Sequence, residues 1–358
     1  MKPNDTIIIV GGGLSGLSLA YYLRNTPFNV IILEASSRLG GRIHTITGPL
    51  TTPLELGATW FSSRHPNLLA LIEELGLSAF PQFSEGISLF QSKSFEPTQK
   101  FFIPASESPS YRLAGGTEQL ITALAGQLEA SSIHLETEVT GIQESEQGVV
   151  IETANGQTYY ANHVVGCLPL PVLASRVRIT PDLPAPVRDL LPTVQTWMGG
   201  SIKFAVEYPA PFWRTNGFSG MVYSQADIVV EMYDHTSADG QRFGFTGFLN
   251  GGSASYTQEV RKELVLRQLG DLFGKDALAP TAYFDKVWDD KFLVAGNPVI
   301  HRPHQNNGHA LLQKSYLNGK LHFGGTETAI ESPGYMEGAV AAAKKLALQL
   351  ESGTNLPN

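Results

Sequence analysis

Residues 6–34 spell a β-branched run, a glycine-rich turn, an apolar helix, a second β run and a carboxylate, in that order. Thr6–Val10 (TIIIV) has the unbroken apolar character of a buried parallel strand, and Asn29–Leu33 (NVIIL) repeats it. Between them stands Gly11-Gly12-Gly13-Leu14-Ser15-Gly16, a G-x-G-x-x-G turn, with helical apolar spacing over residues 17–23. Gly11 permits the tight turn, Gly13 lets the main chain meet a pyrophosphate, and Gly16 lets helix and strand pack closely. The N–H groups and dipole at the helix start hold phosphate charge, and Ser15 adds its hydroxyl and amide. Glu34 lies 18 positions beyond Gly16, where a carboxylate accepts both hydroxyls of an adenosine ribose. An acid there disfavours a 2′-phosphate but does not separate NAD from FAD. The pattern commits the chain to a doubly wound α/β dinucleotide-binding domain.

Composition narrows the function classes. The 358 residues suit one large or two intimate domains. A net charge of −8 argues against a nucleic-acid binder, which needs surplus Lys and Arg, and against attachment to anionic lipid. Cys167, the single cysteine, leaves no internal disulfide and no Cys-rich metal site; it reads as a small buried hydrophobe in a reducing compartment. His301, His304 and His309 lie in a Pro/Asn/Gly-rich stretch that reads as a polar loop, so no metal is expected. No apolar run approaches the ~18–20 residues that span a bilayer, and residues 7–10 are too short for a secretory signal. The expectation is a soluble cytoplasmic protein with neither nucleic-acid nor membrane partners. Nothing in the sequence fixes an oligomeric state.

Arg38-Leu39-Gly40-Gly41-Arg42 follows Glu34 after three residues and brings guanidinium groups and bare backbone beside a second phosphate. G-x-G-x-x-G, the ribose acid and R-x-G-G-R together resemble the opening of the FAD-dependent amine oxidases, the family of the monoamine, polyamine and L-amino-acid oxidases. The likeness recurs along the chain. Leu54-Glu55-Leu56-Gly57-Ala58-Thr59-Trp60 is similar to the E-L-G-A-x-W segment beside the flavin, with Gly57 and Ala58 as cofactor contacts. Gly115-Gly116-Thr117 resembles a helix start, here reaching to about Leu128. Residues 134–142 resemble the strand whose backbone pairs with adenine, at Val139. Residues 164–169 resemble the V-V-x-A-x-P strand. Ser201-Ile202-Lys203-Phe204 with Pro211-Phe212-Trp213-Arg214 resembles a monoamine oxidase stretch. Phe323-Gly324-Gly325-Thr326-Glu327-Thr328 and Gly334-Tyr335-Met336-Glu337-Gly338-Ala339 resemble the C-terminal signature.

The resemblance implies an FAD-binding, Rossmann-like doubly wound domain and a smaller α+β substrate domain with a mainly antiparallel sheet. The former takes residues 1–80, 112–190 and 290–358; the latter 81–111 and 191–289. Residues 66–75 read as an amphipathic helix, 149–160 as a hairpin about Asn155-Gly156, and 181–192 as a Pro-rich crossing. Strands are expected at 202–207, 228–233, 242–249 and 321–324, and helices at 256–273 and 335–350. One departure from the family stands out. Its first substrate-domain insertion is long and helical, whereas here only residues 81–111 fill that gap. No apolar tail follows the last helix, so the membrane anchor of the monoamine oxidases is expected to be absent.

The resemblance also assigns chemistry. Lys203 matches the lysine that reaches flavin N5 through a water and assists oxygen reduction; by periodicity alone it reads as a surface lysine on a half-exposed strand. Tyr335 matches one wall of an aromatic cage for the amine. Met336 offers its N–H to flavin N1 and O2 at the helix start, and Glu327 faces the ribityl chain or the phosphate-side waters. The second cage wall falls at Pro298, which is not aromatic. The preceding Asn297 stands where monoamine oxidases bond their flavin to cysteine, so FAD is expected to be non-covalent. Trp60 and Trp288 line the flavin face or simply pack. The implied reaction is oxidation of an amine by hydride transfer to FAD with O2 as acceptor, giving an imine or aldehyde and H2O2. The short insertion and Pro298 keep open a renalase-like or desaturase-like oxidoreductase acting on a non-amine.

Overall fold

The computed structural model describes Lys2, residues 4–296 and residues 302–352. Its central sheet has five parallel strands in the order Leu321–Phe323, His163–Gly166, Thr6–Val10, Asn29–Leu33, Ile133–His134. Alternation along the first strand feeds two cores. Ile7 and Ile9 pack with Leu17, Val340 and Ala343, beneath the helices Leu14–Leu23 and Met336–Ser352. Ile8 and Val10 point the other way, against Ile142, Val149 and Ile151 of a four-stranded sheet. A strand covered on both faces has no place for a polar residue, hence the unbroken TIIIV run.

The hairpin expected over residues 149–160 forms from Gly148–Thr153 and Thr158–Ala161, with Gly156 at φ +82°. The helix expected at 66–75 spans Pro66–Glu74, that at 256–273 spans Gln258–Phe273, and the last spans Met336–Ser352. The helix after Gly115-Gly116 is shorter than expected: it spans Glu118–Ala125 and stops before Gly126. Residues 134–142, expected as one strand, form two in different sheets. Ile133–His134 closes the edge of the parallel sheet, and Val139–Ser145 opens the four-stranded one. Glu136 at φ +53° turns the chain between them, and Thr137 N donates to Glu34 O at 2.8 Å. The break is what brings Val139 beside Glu34.

A seven-stranded sheet builds the other half, in the order Ala282–Val287, Ile202–Tyr208, Phe243–Leu249, Val229–Asp234, Phe218–Ser224, Gly86–Gln91, Gln99–Ile103. All its pairs are antiparallel except that between Phe218–Ser224 and Gly86–Gln91. Helix Gln258–Phe273 covers one face, where Val265 and Leu269 join Phe204, Val206 and Phe245. The opposite face of Ile202–Tyr208 is covered too. Ala205 packs on Leu54 and Leu56, and the Glu207 carboxylate accepts from Leu50 N and Thr52 N at 3.1 Å. Lys203 and Glu207, which on paper mark a solvent face, therefore lie between two layers of protein. Residues 81–111 leave and re-enter through a short ribbon, Ala79–Pro81 with Tyr111–Leu113, and add the last two strands as a hairpin at the sheet edge; the segment contains no helix.

Candidate functional site

A continuous groove starts at the G-x-G-x-x-G turn. Gly11, at φ +111°, has no room for a side chain: a Cβ would stand 2.9 Å from the Cys167 carbonyl oxygen. Gly16 is tighter, with a Cβ only 2.0 Å from the Gly11 carbonyl oxygen. Gly13 differs, because a Cβ there would meet nothing nearer than 3.9 Å; it would fill the groove. The Glu34 carboxylate is fixed at the groove wall, one oxygen accepting from Gly12 N at 2.6 Å and the other from Ser36 N at 2.8 Å and Ser36 Oγ at 2.7 Å. A side cleft lined by Gly11, Glu34 and Val139 branches from this end. Ser15, Gly41 and Cys167 also face the groove. Burial pushes the Cys167 thiol up to about 12, so it stays protonated. Arg38 lines the groove while its guanidinium donates to the carbonyls of Leu39, Ile43 (both 2.9 Å) and Gly41 (2.6 Å), bracing its own loop.

Arg42 and Glu327 meet further along. Arg42 Nη2 lies 2.7 Å from Glu327 Oε1, although the N–H is not aimed at it, and Glu327 is 1% exposed. Its Oε1 thus has an ion-pair partner but no aligned donor. Arg42 Nη1 donates to the Trp197 carbonyl at 3.3 Å. Met336, the first residue of the last helix, closes this end of the groove.

Beyond it lies a second chamber of about 370 Å³. It shares Arg42, Ala58, Leu293, Gly334, Tyr335 and Met336 with the groove. Its wall also includes Gly57, Trp60, Trp197, Lys203, Glu231, Phe248 and Trp288. Lys203 is 2% exposed. Its Nζ donates to the Gly57 carbonyl at 2.6 Å and to Thr59 Oγ1, and stands 4.7 Å from the Trp60 ring centre. Burial is the main cause that drives its pKa down to about 7; Glu55 and Glu231 pull it up and Arg112 pushes it further down. Burial conversely raises the Glu55 carboxyl, whose oxygens accept from Thr117 N and Thr45 Oγ1. Trp288 is anchored by Nε1 to the Leu56 carbonyl at 2.7 Å, and Trp60 by Nε1 to Gln82 Oε1 at 2.9 Å. Tyr335, 42% exposed, stacks on His304 at 5.4 Å, which in turn stacks on Trp197 at 4.3 Å. Asn297, Pro298 and His301 lie outside the described residues.

Two chamber residues, Trp197 and Glu231, and the ring that stacks on Trp197 escaped the sequence. Trp197 sits in a loop with no motif around it, and its aromatic partner His304 was read as part of a polar loop. Glu231 was hidden by a β-bulge. Val229 pairs with Leu249 but Glu231 pairs with Phe248, so Val230 is an extra residue on its strand. The insertion moves Glu231 to the face opposite Val229. Lys203, Phe248 and Glu231 then form one row across three adjacent strands.

The sequence profile of the flavin containing amine oxidoreductases matches residues 14–94 and 87–350. The chain belongs to this family. A probable flavin-containing monoamine oxidase A of Dictyostelium discoideum is 25% identical over an alignment of 449 residues, with 96% of this chain and 97% of the relative covered. The pig (Sus scrofa) flavin-containing amine oxidase B is 26% identical, with 98% of this chain and 86% of the relative covered. The solved cyclohexylamine oxidase of Brevibacterium oxydans superposes with a TM-score of 0.84 over 98% of this chain and 99% of that one, at 21% identity, and shares the fold. The flavin-containing amine oxidoreductase described here is thus an FAD enzyme with an FAD-binding half and a substrate half. The residues present fit that cofactor: bare backbone at Gly13, the carboxylate of Glu34, and a buried Glu327 oxygen that lacks an aligned donor. No described helix is long and apolar enough to cross a membrane.

Proposed function

We propose that the protein oxidises a small amine at non-covalently held FAD, passes the electrons to O2 to give H2O2, and releases an imine, which water hydrolyses to the aldehyde and ammonia or an amine. The observation that carries the reading is the junction: a lysine-bearing aromatic chamber opens onto the dinucleotide groove through the wall formed by Ala58, Tyr335 and Met336. In this reading Val139 meets adenine and Glu34 the ribose. The turn from Gly11 through Gly13 and Ser15 to Gly16, with Arg38, Gly41 and Arg42, takes the pyrophosphate. Glu327 takes the ribityl side, and Gly57, Ala58 and the Met336 N–H take the ring.

Bound FAD supplies the electron sink, accepting a hydride equivalent from the C–H next to nitrogen. Tyr335 orients the amine, and Trp60 and Trp288 exclude bulk water. Lys203 holds a proton at Nζ. With its pKa near 7 it releases and regains that proton at neutral pH, as a group assisting reduction of O2 requires. Arg42 holds Glu327, and Arg38 keeps Gly40 and Gly41 in place.

A second reading, a renalase-like or desaturase-like oxidoreductase, is favoured by residues 81–111, which form an edge hairpin where larger relatives carry a helical wall. One experiment separates the two: anaerobic exposure of the holoenzyme to amines, amino acids and dihydronicotinamides while the visible flavin band is followed. Bleaching by amines supports the first reading; bleaching by dihydronicotinamides alone selects the second.

A further inference from the structure

Two lysines stand side by side on one face of the seven-stranded sheet, because Lys286 of the edge strand Ala282–Val287 pairs in register with Lys203. They enter different compartments. Lys203 faces the chamber, whereas Lys286 lines the dinucleotide groove, its Nζ 4.7 Å from the Trp288 ring centre. Among the described residues no carboxylate forms an ion pair with Lys286. The other two cations among the described groove residues are engaged. Arg38 donates to three carbonyls of its own loop, and Arg42 is shared between Glu327 and the Trp197 carbonyl. A pyrophosphate is held best by a cation that has no other partner.

The chain beyond Lys286 follows the groove wall. Trp288 is pinned at both main-chain groups: its N–H donates to the Ser201 carbonyl at 2.9 Å, and its carbonyl accepts from Gly200 N at 2.7 Å. A tight turn comes next. Asp290 Oδ1 accepts from Phe292 N at 2.8 Å, and the Asp290 carbonyl accepts from Leu293 N and Val294 N at 2.8 and 2.9 Å. The turn thus occupies its own carboxylate and presents two apolar side chains. Leu293 reaches the junction of groove and chamber. Phe292 lines both the groove and the side cleft that contains Val139. Arg176, paired with Glu138 at 2.8 Å, holds its guanidinium 5.8 Å from the Phe292 ring centre. An aromatic ring at the side of a narrow cleft suits a flat π system.

We propose that residues 286–293 form the outer wall of the cofactor site, with Lys286 meeting the pyrophosphate of FAD and Phe292 covering its adenine. This adds residues to the assignments above and rests on their orientation of FAD, with adenine at Val139 and ribose at Glu34. FAD is then clasped between the glycine turn and this segment, which sets how fast the cofactor leaves.

The test follows release of FAD from diluted holoenzyme by the rise in flavin fluorescence, at low salt and at about 1 M, where the screening length falls to ~3 Å. Lys286→Met should release FAD about tenfold faster at low salt, the worth of one charge-assisted contact, with the gap closing at high salt. Lys286→Arg should stay near wild type. Phe292→Ala should release it about tenfold faster at both salts, and Phe292→Tyr should restore slow release. Lys291→Met removes a neighbouring charge that does not line the groove and should match wild type. Should Lys286→Met melt well below wild type, acylation of wild-type lysines decides: FAD and ADP must each shield Lys286 from an amine-acylating reagent, and riboflavin must not. Unchanged release in Lys286→Met, an equal change in Lys291→Met, or equal labelling with and without ADP overturns the lysine contact. Unchanged release in Phe292→Ala overturns the adenine cover. If Glu34→Ala also leaves release unchanged, the orientation of FAD itself fails; if Glu34→Ala alone speeds release, that orientation stands and this wall falls.

Discussion

Lys203 Nζ donates to the carbonyl oxygen of Gly57 across 2.6 Å, tying the seven-stranded sheet to the segment that leads into Ala58 at the groove wall. The contact holds an ammonium-bearing side chain, buried from the surface, among Thr59, Trp60 and Phe248. Replacing Lys203 by Met keeps the volume and removes the proton. Reoxidation of reduced enzyme by O2 should slow by roughly a hundredfold or more, the scale of one positioned proton donor, with FAD content retained. Stopped-flow reoxidation at equal rates in Lys203→Met and wild type would remove the role given to this side chain.

The same lysine makes stability depend on pH with a definite sign. Its pKa is about 7 in the folded chain, against 10.5 for an ordinary lysine. Below pH 7 both states carry the proton, and its burial lowers stability in full. Between 7 and 10.5 the unfolded chain binds a proton that the folded chain has released, so stability rises with pH. Above 10.5 the difference is gone. The Glu55 carboxyl is shifted upward and titrates with the opposite sign. The comparison is therefore made in a Glu55→Gln background, where loss of the carboxylate only widens the lysine window. There, the stability advantage of Lys203→Met over Lys203 should shrink by up to ~1.4 kcal/mol per pH unit as pH rises towards 10. Urea melts at pH 7, 8, 9 and 10 measure it, and a constant gap contradicts the shifted lysine.

Glu34 accepts from three protein donors, which fix its carboxylate at the groove wall. Glu34→Ala removes the acceptor we propose for the ribose hydroxyls and frees Gly12 N and Ser36 N. FAD should bind about ten- to hundredfold more weakly, the loss of one charge-assisted hydrogen bond. The ratio of visible to ultraviolet absorbance after dialysis, followed by FAD titration of the apoprotein, reads the change; full flavin retention after dialysis speaks against the ribose assignment.

How far the sequence could be read depended on whether the deciding contact was local. Thr6–Val10, the glycine turn and Glu34 lie within thirty residues, and their order admits one packing, so both the parallel sheet and the groove were legible. Lys203 was not legible from its own strand. The alternation of Lys203 and Glu207 with apolar residues describes a solvent face, and the segment from Leu50 to Trp60, about 150 residues earlier, covers it. Residues 134–142 misled because Leu135 and the β-branched Thr137, Val139, Thr140 and Ile142 read as one run across Glu136, whose left-handed turn separates the two sheets. Glu231 was invisible for a third reason: one extra residue at Val230 reverses which face it occupies, and period-two reasoning has no term for a bulge.

Arg42 and Glu327 offer a test of the wall between groove and chamber. Glu327 is 1% exposed and Arg42 24%, at 2.7 Å, with Arg42 reaching on to the Trp197 carbonyl. Removing the guanidinium leaves a buried carboxylate without its cation, which typically costs about 3–5 kcal/mol. Arg42→Ala should therefore lower the apoprotein Tm sharply and weaken FAD binding as well. Glu327→Gln removes the charge that needed the partner, so adding it to Arg42→Ala should restore much of the stability. FAD affinity should stay low in the double variant, because the guanidinium proposed to meet the pyrophosphate is still missing. Denaturant melts and FAD titrations on the four proteins of this cycle separate the two effects. If Glu327→Gln rescues nothing in the Arg42→Ala background, the pair is not what holds this wall together.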